Sequence, residues 1–306
     1  MIPKKTLFGI DIDAMRMPEA VDHLRTWVEE DVPADGCRFV VTPNVDHAVL
    51  LQENPALQAA YDDAAMILAD GHPIIWASHL VRQPLPERVP GSELVPKLFD
   101  SFQESGDLRV FLLGAAEGVA FRAAENMKEK WPRVKTVGIY SPPLGFEKDD
   151  SENSRILNLI AQAKPDVVVV GLGAPKQELW VHKHHQEMQA KAALCVGATI
   201  DFLAGEKKRA PVWMQRAGIE WLHRMCSEPK RLVSVTPKTR GFSCNWCGVK
   251  CRVGIEPTVA RNHCRCIATI DALRDHCPCV WSLQTTARRA HNPFSSRRSQ
   301  AVSGCG

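Results

Sequence analysis

The segment Asp166-Val167-Val168-Val169-Val170 constrains the fold of this chain more than any other stretch of its 306 residues. After its first residue it is wholly apolar and β-branched, so it offers no polar face to water. A strand of that kind has to be covered on both sides, which makes it a central member of a parallel sheet. Shorter runs of similar character recur between helical stretches. Strands are expected at residues 37–42, 66–69, 109–113, 134–140 and 193–196, and helices at 45–54, 56–64, 72–81, 94–104, 117–130, 152–163, 175–188 and 212–225. This alternation implies an α/β fold with an open, mostly parallel, Rossmann-like sheet and helices on both faces. In such a sheet ligands bind in the crevice beyond the carboxyl ends of the strands, so chemistry is to be sought directly after each strand.

Charge divides the chain into three parts. Residues 1–205 carry 20 Lys+Arg against 29 Asp+Glu and form the expected α/β catalytic domain. Residues 206–235, with 7 basic and 3 acidic side chains, read as a short helical C-terminal appendage. There Trp213, Ala217, Trp221 and Met225 share one half of a helix, with Arg216, Glu220, His223 and Arg224 on the other. A basic amphipathic helix with tryptophans suits either an anionic membrane surface or the body of the protein. Residues 236–306 hold 11 basic and 3 acidic side chains and eight of the 11 cysteines. The basic end suggests contact with anionic lipid or phosphate. Nucleic acid is the competing anion, but no reader motif accompanies the charge. No stretch approaches the roughly 18–20 apolar residues of a spanning helix, and no signal-peptide segment opens the chain. The expected compartment is the cytoplasm, where Cys37, Cys195 and Cys226 are reduced thiols.

Four unusual segments fall at strand ends. They are Thr42-Pro43-Asn44, Ala69-Asp70-Gly71, Gly114-Ala115-Ala116-Glu117-Gly118, and Gly171-Leu172-Gly173-Ala174-Pro175-Lys176-Gln177-Glu178. Glycines between strand and helix let backbone N–H groups approach a diphosphate, which the helix N-terminus also attracts. In the last segment Pro175 sets the helix entry, so that Lys176 and Gln177 project toward the crevice. Neither glycine string has the GxGxxG or P-loop spacing, which argues against nicotinamide enzymes and ATPases. Asp70 is the candidate general base, because an acceptor hydroxyl needs a carboxylate to take its proton. Arg88, in Arg88-Val89-Pro90-Gly91-Ser92, can hold a phosphate or a sugar oxygen through its rigid fork of donors. The cluster His182-Lys183-His184-His185 reads as a solvated helix face, and no metal site is expected.

Together these segments resemble the WecG/TagA/CpsF glycosyltransferase family. The resemblance also rests on Trp76, Val196-Gly197-Ala198, Arg209-Ala210-Pro211 and the run from Trp213 to Arg231, and covers residues 5–234. It implies inverting transfer from a UDP-sugar donor to a polyprenyl-diphosphate-linked sugar, at the inner face of the cytoplasmic membrane. N-acetylmannosamine, its uronic acid and glucose are the donated sugars it implies, in surface polysaccharide biosynthesis. Asp70 matches the family's proposed base, Thr42 and Asn44 its pocket lining, and Arg88 and Gln177 polar groups facing the donor. Gly114, Gly171, Gly173 and Lys176 complete the expected substrate site. Arg216, Arg224 and Arg231 match arginines of an appendage that closes the site and touches the membrane. No cofactor is called for, and a homo-oligomer is compatible with the reading.

After Leu232 the family pattern breaks off. An aromatic- and arginine-rich continuation is expected there, and Val233-Ser234-Val235-Thr236-Pro237 stands in its place. The cysteines beyond are too irregularly spaced for a structural zinc module. A frame-shifted or spliced-on tail, disordered for want of core-forming residues, is the expectation. Two other functions compete with the enzyme: a nucleotide-sugar-binding protein without turnover, and nucleic-acid binding through the basic tail.

Overall fold

Burial on both faces of Val167–Gly171 shapes the centre of the computed structural model, which describes residues 2–104, 106–207 and 214. The chain begins with an antiparallel hairpin, β1 (Lys4–Leu7) and β2 (Ile10–Asp13), turning through Phe8 and Gly9, both at positive φ. That pair of left-handed residues is what a two-residue hairpin turn demands. Helix α1 (Met17–Glu29) follows, its buried Met17, Ala20, Val21, Leu24 and Val28 at the spacing of one helical face. The sequence reading did not extend to α1, or to the pairing of β1 with β2.

A six-stranded, wholly parallel sheet comes next in the chain. Its strands are β3 (Arg38–Val41), β4 (Met66–Ile67), β5 (Leu108–Gly114), β6 (Val134–Tyr140), β7 (Val167–Gly171) and β8 (Ala192–Cys195), in the order β4-β3-β8-β7-β5-β6. The expected Rossmann-like α/β class is the observed one. Central β7 pairs with both β5 and β8, and Val167 to Val170 are fully buried. Each such valine contributes about 1.5–3 kcal/mol of apolar burial.

Two hydrophobic layers cover the sheet. One contains apolar faces of α1, α5 (Gly91–Ser101), α6 (Val119–Lys130) and α9 (Thr199–Leu203). The other contains the hairpin together with α2 (Val45–Leu51), α3 (Pro55–Asp62), α4 (His72–Leu80), α7 (Asp150–Ala163) and α8 (Lys176–His184). Helix α6, which follows β5, and helix α8, which follows β7, therefore lie on opposite faces. Between such neighbouring strands the chain ends open a crevice. Helix α5 begins at Gly91 instead of residue 94, because a side chain at Gly91 would come within 2.5 Å of Val196 and the helix start packs there. Apart from residues 206, 207 and 214, the appendage and tail, with Arg216, Arg224 and Arg231, lie outside the described residues.

Candidate active site

Strand β3 ends at Val41, and its continuation turns at once into α2. Asn44 is the N-cap of that helix, its Oδ1 accepting from the N–H of Asp46 (2.9 Å) and of His47 (3.2 Å). A side-chain amide in this position satisfies helix donors that would otherwise lack partners. Thr42 is buried and donates its hydroxyl to the Cys195 carbonyl at 3.3 Å, tying the end of β3 to the end of β8.

The neighbouring strand end carries Asp70. Its N–H donates to the Pro43 carbonyl at 2.8 Å, so Asp70 lies directly beside the 42–44 turn. Gly71, at φ 102°, then opens α4. On its other side the Val89 N–H donates to the Ala69 carbonyl at 2.7 Å, which brings Arg88 alongside Asp70 in the chain trace. Arg88 is paired with Glu93 at 2.9 Å. It also lines a cleft of about 750 Å³ that runs between α5 and the α6–α9 pair. His72, Lys97, Lys130, Asn126 and Thr199 line the same cleft, which makes its walls polar and of mixed charge. A volume of this order accommodates a nucleotide-sized ligand. Among the described residues, Arg88 is the expected substrate-site residue that lines this cleft, together with Ser92 of the same motif.

Gly114 and Gly171 face each other as a register pair of β5 and β7. A side chain on Gly114 would meet the Gly171 carbonyl oxygen at 2.4 Å, and one on Gly171 would meet the Gly197 oxygen at 2.9 Å. Close approach of three strand ends explains both glycines. The Ala115 N–H is moreover spent on the Gly171 carbonyl at 3.0 Å. Gly173 has open space around it and sits at φ 81°, where glycine is favoured for its backbone freedom.

Lys176 and Gln177 part company. Lys176 leans over the Phe146 ring and reaches Glu147 at 3.6 Å. Gln177 does not project into the crevice as the sequence suggested. It is 3% exposed, its Nε2 donating to Glu178 Oε1 at 2.8 Å and its Oε1 accepting from the Gly197 N–H at 3.3 Å. The amide has partners within the protein at both ends, which stitches α8 to the turn after β8. Glu178 is fully buried and also faces His47 Nε2 at 3.2 Å. Neither His47 nor Glu178 was singled out as a site residue from sequence. The Asn44-x-x-His47 spacing of a reciprocal cap was the available signal, with His in the place usually held by Glu or Gln.

The histidine cluster is half-buried more than solvated. His182 pairs with Asp63 at 2.8 Å and stacks on His185 at 6.0 Å between centroids. Among the described residues no three His, Cys, Asp or Glu side chains converge as a metal-binding group. No helix among them is long and apolar enough to cross a membrane.

A family model for the glycosyl transferase WecG/TagA/CpsF family matches residues 5–242, running beyond Leu232, where the motif pattern breaks off. The chain is also similar to the N-acetylglucosaminyldiphosphoundecaprenol N-acetyl-beta-D-mannosaminyltransferases of Staphylococcus aureus strains MRSA252, MW2 and NCTC 8325. Each is 30% identical over 229 residues, covering 75% of this chain and 87% of the relative. With that match spanning the sheet, the strand-end turns and the cleft, the chain belongs to the WecG/TagA/CpsF family and is a glycosyltransferase.

Proposed function

We propose that this glycosyltransferase moves N-acetylmannosamine from its UDP-sugar onto N-acetylglucosamine carried by a polyprenyl diphosphate, with inversion at the sugar's C1. The name of its relatives supports the transferred sugar and the acceptor, and it specifies a β-linked product, while the UDP carrier is what the family resemblance implies. A UDP-sugar of α configuration yields that product in a single displacement. The acceptor oxygen bonds to C1, the C1–O bond to UDP breaks, and UDP leaves with the bonding pair. The acceptor's proton passes to the Asp70 carboxylate, a general-base step that makes a poor nucleophile competent. Arg88, Lys176 and the backbone N–H groups after Gly171 and Gly173 offset the charge developing on UDP. Thr42 and Asn44 shape the floor against which the sugar rests.

The observation that carries this reading is the backbone coupling around Asp70. One hydrogen bond joins it to the 42–44 turn, and a second joins Ala69 to the segment bearing Arg88 at the mouth of a 750 Å³ cleft. These two backbone bonds, which run the Arg88 segment beside the Asp70 strand end, are what supports assigning both residues to one site. The acceptor is lipid-linked, so the enzyme works at the inner face of the cell membrane, and the family resemblance assigns contact with the lipid diphosphate to Arg216, Arg224 and Arg231. The test is a screen of UDP-sugars against a short polyprenyl-diphosphate-GlcNAc. UDP-N-acetylmannosamine is expected to give product. Transfer only from the uronic acid or glucose donor would move the specificity, and UDP binding without transfer from any donor would make the chain a binding protein.

A further inference from the structure

The buried contact between His47 of α2 and Glu178 of α8 has no part in the transfer chemistry just described. Two backbone N–H groups donate to Asn44 Oδ1, which settles which end of that amide is the oxygen. His47 Nδ1 lies 2.9 Å from the same oxygen, and Nε2 lies 3.2 Å from Glu178 Oε1. Each ring nitrogen therefore faces an oxygen, the pattern of a ring that donates at both ends. An Nδ1 lone pair could instead accept from the Asn44 N–H at 3.4 Å, but it would then oppose Oδ1 lone pairs across the shorter distance.

Charge balance points the same way. Glu178 is 0% and His47 7% exposed. Glu178 Oε1 accepts from Gln177 as well, while Oε2 has no hydrogen-bond partner among the described residues. A buried carboxylate in that condition calls for a compensating cation. Tyr61 and Cys195, the other titratable groups felt by Glu178, are pushed up by burial first and by its charge second, so both stay neutral. His47 is the basic side chain in contact with it.

We propose, resting on Asp70 as the base, that His47 is a positioning residue. Donating from both ring nitrogens, it ties the buried Glu178 carboxylate to Asn44. It thereby holds the 42–44 turn, whose Pro43 carbonyl accepts the Asp70 N–H.

Two single variants and their combination separate this from plain helix capping. His47→Gln keeps a side chain that can accept from the Asn44 N–H, as glutamine does at this cap position, but loses the tie to Glu178. It is expected to unfold at a lower temperature while staying folded at the assay temperature, to lower kcat by about 10- to 100-fold, and to leave KM for the donor unchanged. Glu178→Gln is expected to do the same, and the double variant to be no worse than either single one. Wild-type kcat in His47→Gln, or additive losses in the double variant, would overturn the proposal. An independent readout is ¹⁵N NMR of the His47 ring in the full chain at neutral pH. Both nitrogens should carry protons in the wild type and not in Glu178→Gln, and a neutral ring in the wild type would overturn the tie. If the wild type transfers no sugar from any UDP donor, the functional reading fails. NMR, and the same double-variant cycle read by thermal unfolding, still decide on His47.

Discussion

The two sides of the strand-end crevice solve opposite problems. On the α2–α8 side, Thr42, Asn44, His47, Gln177 and Glu178 are buried or nearly so and hydrogen-bonded to one another and to the ends of β3 and β8. On the α5–α6–α9 side, Arg88, His72, Lys97 and Lys130 are spread along an open cleft. The far wall of that cleft is braced, since Arg122 pairs with Glu206 and the Asn126 amide donates to the Leu203 carbonyl, tying α6 to the end of α9. The difference follows from connection geometry. Helices α2 and α8 start within a few residues of their strands and press polar caps against the sheet, whereas α5 begins 24 residues after β4 ends and only its first turn meets β8's turn. On the proposed reading, one side holds position and the other admits a ligand. Asp70 is joined to the first of them through its N–H to the Pro43 carbonyl.

If that division is right, the largest effect comes at Asp70. Asp70→Asn is expected to cut turnover by roughly 10²–10⁴-fold with folding and UDP affinity nearly intact. Steady-state kinetics beside calorimetric UDP binding would check it, and near-normal turnover would remove Asp70 as the base.

Gly114 tests the frame that both sides share. A methyl group there would press within 2.4 Å of the Gly171 carbonyl oxygen at a backbone φ of 113°. Strain and crowding act together, so Gly114→Ala should destabilise the fold by about 1–3 kcal/mol in urea unfolding. Wild-type stability would mean that the two strand ends have room to part, and that the crevice is less rigid than the packing implies.

Arg88 tests the open side. Arg88→Ala would remove the charge-assisted contact proposed to the donor and should raise KM roughly 10-fold while changing kcat less. Arg88→Lys should recover only part of it, because a point charge does not replace the planar fork. A kcat loss at constant KM would place Arg88 with the positioning groups and blur the contrast.

The strands and the turns after them were more legible in sequence than the directions their polar side chains take, for a physical reason. Four valines in a row announce β7, and glycines, Asp70 and Arg88 after strands announce a crevice. Gln177 was misleading because polarity argues for exposure, and it is the packing of α8 that turns it inward, together with its neighbour Glu178. His47 looked like an ordinary residue in the first turn of a helix, since its partner Glu178 stands 131 positions away. Helix α1 is amphipathic enough to have been read, with Ala20, Val21, Leu24 and Val28 in register. The hairpin before it is two strands of four residues each, too short for alternation to speak clearly.

The smallest expected effect separates two histidines on the closed side. His184 ends α8, about 12 Å along the helix axis from Lys176 at its start. Both of its ring nitrogens are buried without hydrogen-bond partners among the described residues, and its ring lies against Trp180 at 5.1 Å. Burial first, and Lys183 second, hold its pKa below the ordinary 6.5, with Glu187 and Asp150 acting in opposition. A depressed folded-state value means that the neutral ring's contribution is whole above pH 6.5 and is lost as pH falls through the folded value. Stability of the wild type should therefore decline on acidification below 6.5, and His184→Phe, which keeps a ring against Trp180, should flatten that decline. Urea midpoints at a series of pH values would measure it, with turnover at neutral pH unaffected because the site lies at the other end of the helix. An unchanged slope in His184→Phe would assign the acid sensitivity elsewhere.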